Sequence, residues 1–289
     1  MKRSRDLVSL LVCAACGNSA ASDVETGSTN PSTTASSTTS TTSTASTSTT
    51  TGDGAASTTG PLDGSSSEAS TGAPPSMCTA PVFETSTPDD GWSTENYYVH
   101  NNMWNSECCQ TLYACSYADW YVVSNQIDEA GAVKTFPNVH RDYDGKRIDS
   151  FPVLTSTFAA TSPHVGIYNV AYDIWINGIA APGGAELMIW TENFNQVPGG
   201  DMVASADFGG VTWQAWKADW DWTYLALVPE EPLTEGELDL LEMLEWTIAQ
   251  GWVPADATID QIGFGVEIVS TDGNDEAFVF SGFAIDDGS

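Results

Sequence analysis

Positive charge is the scarcest feature of these 289 residues: eight Lys and Arg stand against 39 Asp and Glu, a formal charge of −31 at neutral pH. Such a chain has no basic stripe with which to neutralise phosphates, and nucleic acid is excluded as a partner. Histidine is nearly as rare, with only His100, His140 and His164, at no metal-ligand spacing. There is no G-x-S-x-G elbow and no Walker loop, which removes the common serine-hydrolase and nucleotide-binding readings. The apolar run "LVSLLVCAA" at 7–15 falls well short of the roughly 20 residues a membrane-spanning helix needs, and no later run reaches that length, so no such helix is expected. "STDGNDE" at 270–276 has calcium-like acidic spacing but lacks the Glu-terminated loop pattern, so it reads as a solvated turn. Neither a metal nor a cofactor is expected.

The N-terminus carries Lys2, Arg3 and Arg5 ahead of that short apolar run, then small residues, the pattern of an export signal over 1–15. "VCAAC" resembles a bacterial lipoprotein signal in which Cys16 is lipidated, although Cys13 stands where such signals usually carry Leu; secretion without lipid is the alternative. The expected location is extracellular or at the cell surface, anchored through lipidated Cys16 to a bacterial outer membrane. Residues 16–77 are almost entirely Ser, Thr, Ala and Gly, too poor in large apolar groups to offset their conformational entropy, and read as a disordered tether. The folded unit is then 78–289, or 289 − 77 = 212 residues, enough for one domain and expected to be a monomer. Removing 1–15 deletes three basic residues and Asp6, leaving 5 basic and 38 acidic residues, a charge of −33.

Four cysteines remain in the folded unit, Cys78, Cys108, Cys109 and Cys115. Bridging the adjacent Cys108 and Cys109 strains the peptide between them, so the expected scheme ties Cys78 to one of that pair and the other to Cys115.

Beyond residue 90 the chain is a succession of short apolar or alternating runs separated by Gly, Pro, Asn and Asp, which predicts an all-β sandwich or barrel. One helix is expected in "LTEGELDLLEMLEWTIAQG", with a Thr234/Glu237 capping box, Leu238, Leu241, Leu244 and Ile248 on one face, and Gly251 as the stop. Three strand-like runs each place a carboxylate opposite their most apolar residues. In "AELMIW", Glu186 shares a face with Met188 and Trp190. In "VAYDIW", Asp173 is grouped with Trp175, and in "GFGVEIV", Glu267 with Gly265. That face is either ordinary solvated sheet surface or the floor of a site. Carboxylates with tryptophans are what hydrolysis of a neutral polysaccharide requires: two acids for the bond and flat apolar faces for the rings.

The order of the short motifs then becomes informative. "NNMW" at 101–104, "ADW" at 118–120, "VKTFPNV" at 133–139, "VAYDIW" at 170–175, "ELMIW" at 186–190 and "FGVE" at 264–267 resemble, in sequence, the words of glycoside hydrolase family twelve, the small β-jelly-roll endoglucanases. The resemblance implies two antiparallel sheets with a concave cleft, and retaining hydrolysis of internal β-1,4 bonds in cellulose-like or mixed-linkage β-glucan. It makes Glu186 the nucleophile and Glu267 the acid/base, on adjoining strands with carboxyls about 5–5.5 Å apart. Asp173 would bond to Glu186, and Asn102, Trp104, Trp120, Met188 and Trp190 would line the cleft. The chain departs from the pattern at Val122, where another aromatic is common, and after Glu267, where Ile268, Val269 and "STDGNDEA" stand in place of a residue, an aromatic and a Gly-rich turn, changes that touch the sugar subsites. Loss of such walls makes xyloglucan an alternative substrate, and a non-catalytic glycan-binding lipoprotein is the alternative of a different class.

Overall fold

The structure, a computed structural model, describes residues 77–106, 108–128 and 131–289. The expected export signal, Cys16 and the tether through residue 76 lie outside the described residues. Alternation along the strands builds two layers. Nine strands form one sheet in the order β10 (Asp201–Phe208), β11 (Val211–Asp219), β12 (Thr223–Pro229), β9 (Ala185–Phe194), β8 (Ile167–Ile176), β14 (Thr258–Ser270), β6 (Asn138–Arg147), β3 (Tyr97–His100) and β2 (Gly91–Thr94). Six form the other: β1 (Phe83–Thr85), β4 (Gln110–Ser116), β5 (Asp119–Ser124), β15 (Glu276–Asp286), β7 (Thr155–Thr161) and β13 (Glu235–Asp239). All pairings are antiparallel except β12 with β9. The expected all-β jelly roll is what forms.

Between the sheets lies one continuous core. Leu187 and Ile189 of β9, Tyr172 and Ile174 of β8 and Phe264 of β14 pack toward Trp120 of β5 and Phe278 and Phe280 of β15. Phe264 meets Phe280 edge-on at 5.5 Å between centroids. Fully burying side chains of this size contributes about 1.5–3 kcal/mol each.

Three expectations need correction. The helix α1 is shorter than the pattern suggested, Leu240–Ala249, because residues 235–239 pair with β7 as strand β13. Asp239, not Thr234, caps it by accepting from the Glu242 amide at 2.9 Å. The buried face is accordingly Leu240, Met243, Leu244 and Thr247, with Leu238 buried from β13. Gly251 does end the turn, at φ 75°.

The disulfides are Cys78–Cys115 and Cys108–Cys109. Cys115 and Cys109 lie toward opposite ends of the β4 run, six residues or roughly 20 Å apart at strand rise. The β1–β4 pairing, Phe83 opposite Ala114, brings Cys78 to the Cys115 end and out of reach of the other pair. Cys109 sits at φ 75°, in the left-handed region, where the backbone turns between the two neighbouring sulfurs.

Two of the three departures fall elsewhere than expected. Val122 and Ile268 are in the inter-sheet core, so neither is a missing cleft wall, while Val269 is buried outside that core.

Candidate active site

The faces of the nine-stranded sheet answer why acids sit among large apolar residues. With Leu187 and Ile189 turned into the core, Glu186, Met188 and Trp190 point out, and Met188 and Trp190 form a second apolar cluster with Ala171, Tyr224 and Ala226. That cluster is a floor rather than a solvated surface. One register row crosses all nine strands. On one side of Asp173 it runs through Met188, Ala226, Trp216 and Met202. On the other it runs through Gly263, His140, Tyr98 and Ser93. The next row joins Trp190, Ala171, Gly265, Asn138, His100 and Gly91.

Glu186 and Glu267 line one cavity of about 350 Å³, counted with its open mouth, together with Met188, Trp190, Gln196, Trp220 and Tyr224. Their strands do not adjoin, as the sequence reading had it; β8 lies between them. Ala171 of β8 stands opposite Gly265 of β14, and a Cβ at 265 would meet the Pro137 carbonyl oxygen at 2.2 Å. No other residue fits there.

Each acid is 9% exposed, and burial is the first reason their protons are held. Asp173 is pushed up to about 8 by burial and then by the charge of Glu267. Glu267 is pushed up to about 7 by burial, against hydrogen bonds from Asn169 and Gln196. Burial raises Glu186 as well, followed by the charges of Asp173 and Glu267, while Trp222 opposes the rise. Three acids this close do not all ionise near neutrality. A proton retained on one of them lowers the negative charge the other two must bear.

The donors also fix which oxygen of each acid is engaged. Trp222 Nε1 donates to Glu186 Oε2 at 2.8 Å. Asn169 Nδ2 donates to Glu267 Oε2 at 2.6 Å and Gln196 Nε2 to the same oxygen at 3.4 Å. On each glutamate these bonds fall on Oε2. Asp173 Oδ1, Asn169 Oδ1, Gln196 Oε1 and Trp190 Nε1 are buried without a protein partner, so the floor holds both acceptors and a donor suited to hydroxyl groups.

Of the residues singled out from sequence, Glu186, Glu267, Met188 and Trp190 share the cavity and Asp173 lies diagonal to Glu186 on the neighbouring strand. Trp104 and Asn102 are not among the residues that line it. The Trp104 amide bonds the Lys134 carbonyl, next to cavity-lining Val133, and the Asn102 side-chain amide donates to the Phe136 carbonyl at 3.1 Å. Trp120 does not belong: it is in the six-stranded sheet, fully buried and stacked 4.0 Å from Phe280. Sequence reasoning missed Trp222 and Gln196, which sit on connections with no periodicity, and Asn169, four residues before Asp173 on a strand already marked as carrying an acid.

Comparison with known proteins bears on the family and the fold. The profile of glycosyl hydrolase family 12 matches residues 95–286. Endoglucanase S of Pectobacterium parmentieri is 24% identical over 215 residues, covering 63% of this chain and 79% of that one. The xyloglucanase domain of NopAA from Sinorhizobium fredii, solved with cellobiose, superposes with a TM-score of 0.65 at 25% identity, covering 72% of this chain and 99% of that one. Endoglucanase Cel12A of Rhodothermus marinus gives 0.64 at 26%, covering 71% and 99%.

Proposed function

This chain belongs to glycosyl hydrolase family 12, and from that premise we propose that it cuts internal β-1,4 bonds of a cellulose-like or mixed-linkage β-glucan with retention at the anomeric carbon. The observation that carries the reading is the shared cavity: two buried carboxyls with separately oriented oxygens, over a floor of Met188, Trp190 and Tyr224. Glu186 Oε1 attacks the anomeric carbon as its bond to the leaving glucosyl oxygen breaks, and the proton on Glu267 Oε1 passes to that oxygen. Water then attacks the glycosyl ester, gives its proton to Glu267 and restores the Glu186 carboxylate. Met188 and Trp190 supply the apolar faces for the rings, and the unpartnered amide oxygens of Asn169 and Gln196 accept from sugar hydroxyls.

Proton NMR of the first product from a soluble β-glucan is the direct test. The β anomer is expected, and an α anomer overturns retention. A reducing-sugar assay on a panel that includes xyloglucan decides the substrate. Xyloglucan is the second reading because a xyloglucanase domain is among the similar solved structures. Export with a lipid at Cys16 is proposed from the leader pattern alone, and labelling with a radioactive fatty acid, absent in Cys16→Ser, tests it.

A further inference from the structure

Glu192 is more deeply buried than either glutamate of the cavity, at 3% exposure, and has no part in the chemistry above. Strict alternation along β9 would set it beside Trp190 on the cleft face. A bulge at Thr191, where Val170 pairs with Glu192 and Ala171 with Trp190, turns it to the inter-sheet side instead. There Ser162 Oγ donates to Glu192 Oε1 at 2.6 Å. The buried Tyr168 hydroxyl donates to Ser162 Oγ at 2.8 Å and lies 3.2 Å from the same Oε1. His164 Nε2 closes the cluster from the solvent side, 2.8 Å from Oε1, with its ring 64% exposed. Phe194 packs against both rings, its centroid 5.9 Å from Tyr168 and 6.1 Å from His164.

The cluster grips the connection from β7 to β8, and that connection touches the carriers of both ends of one bond in the cavity. On one side the Gly166 carbonyl accepts from Asn195 Nδ2 at 3.0 Å, and Tyr168 bridges Asn195 in parallel register. Asn195, at φ 58°, immediately precedes Gln196, whose carbonyl accepts from Asn193 Nδ2 at 2.8 Å. On the other side Ile167 pairs with Ser270, three residues beyond Glu267 on β14. A Cβ at Gly166 would lie 2.0 Å from the Ser270 carbonyl oxygen, so the connection lies directly on the end of that strand. The bond in question runs from Gln196 Nε2 to Glu267 Oε2 at 3.4 Å, longer than is usual for an amide donor. A bond of that length is lost with a small shift of the backbone at 195–196, whereas the 2.6 Å bond from Asn169 is held by its place within β8.

We propose that Glu192, with Ser162, Tyr168 and His164, is a positioning clamp: it fixes the 162–166 connection and, through Asn195, holds Gln196 against Glu267. The clamp acts through Gln196 and not on the sugar. Two donors on one carboxyl oxygen restrain the rotation of Glu267, and its proton must be aimed at the leaving glucosyl oxygen as the bond breaks. This inference rests on the β-glucanase reading and names what orients the acid of that reading.

The test compares kcat/KM of the full chain on phenyl and 2,4-dinitrophenyl β-cellobioside, with melting temperature measured alongside. Phenolate needs a proton as it leaves and dinitrophenolate does not, so the ratio of the two reads Glu267 as an acid. In Glu192→Ala and in His164→Ala the phenyl-to-dinitrophenyl ratio should fall about fivefold, the scale of one hydrogen bond, with the dinitrophenyl value unchanged. Glu192→Gln, which keeps an acceptor for Ser162, should recover most of the ratio. The double variant Glu192→Ala/Gln196→Ala should show a ratio no lower than Gln196→Ala alone. His164→Ala, at an exposed position, carries the test where Glu192→Ala does not fold. An unmoved ratio in His164→Ala, with the wild type active, overturns the clamp alone; additive losses in the double variant overturn the route through Gln196. A wild type inactive on every β-1,4 glucoside overturns the glucanase reading and the clamp with it.

Discussion

Trp120 and Trp190 are both essentially inaccessible, at 0% and 1% exposure, and both come from strands the sequence marked for the cleft, yet they do different work. Trp120 lies flat on Phe280 in the layer between the sheets. Trp190 lies on the other side of its own sheet, with Met188, Ala171, Tyr224 and Ala226, in the cavity that holds the two glutamates. Burial alone does not distinguish an aromatic of the inter-sheet core from one that lines the cavity; the face of the strand does.

The largest expected effect tests the face that holds the acids. Glu186→Gln should lower turnover about 10³-fold or more on every glucan, with the fold intact by circular dichroism. Glu267→Gln should fail similarly on polymer but regain activity with azide on an aryl glucoside, whose leaving group needs no acid. Near-native turnover in Glu186→Gln would remove the cleft assignment altogether.

Next comes the pair of tryptophans. Trp120→Ala should cost about 3–5 kcal/mol of stability, read as a lower urea midpoint, while KM of the molecules still folded stays as in the wild type. Trp190→Ala should raise KM per folded molecule as well. The comparison breaks if the two variants give the same kinetic pattern.

The buried acids give a third, smaller effect with a definite direction. A carboxyl raised from 4.5 to about 7 binds its proton more tightly in the folded state than in the unfolded chain. The stabilisation is full below the unfolded value and is lost as pH rises through the folded one. Glu267→Gln should therefore be more stable than wild type at about pH 8 by on the order of 3 kcal/mol, with the gap closing near pH 4. Equal urea midpoints at both pH values would contradict the raised value.

The smallest effect concerns a residue outside both tryptophan sites. Trp222→Phe removes the donor to Glu186 Oε2, which favours the ionised nucleophile, so turnover near neutrality should drop about tenfold, the worth of one such bond. The deficit should shrink as pH rises. A pH-independent loss would make Trp222 a packing residue only.

Much of this was readable from the chain, because strand alternation alone sets Glu186, Asp173 and Glu267 opposite Leu187, Ile174 and Phe264. The motif resemblance put Trp120 in the cleft and made the strands of Glu186 and Glu267 neighbours; alternation, which says nothing about which sheet a strand joins or what lies beside it, could correct neither. Residues 234–239 carried a capping pattern but pair with β7, and tertiary pairing overrode the local signal. Trp222 and Gln196 come from irregular connections, where no period exists to read.

The position of β14 between β8 and β6 has a consequence in time. Until residues 258–270 arrive, near the end of the chain, β8 and β6 have no common neighbour and each presents an open edge. One acid, Glu267, is carried by the arriving strand itself. Closing loops of that length before any contact is gained is slow, and open edges in the interval are templates for pairing with other chains. The candidate site is thus completed by the same strand that seals the sheet, and a molecule in which β14 has not yet paired is expected to be inactive and prone to aggregate.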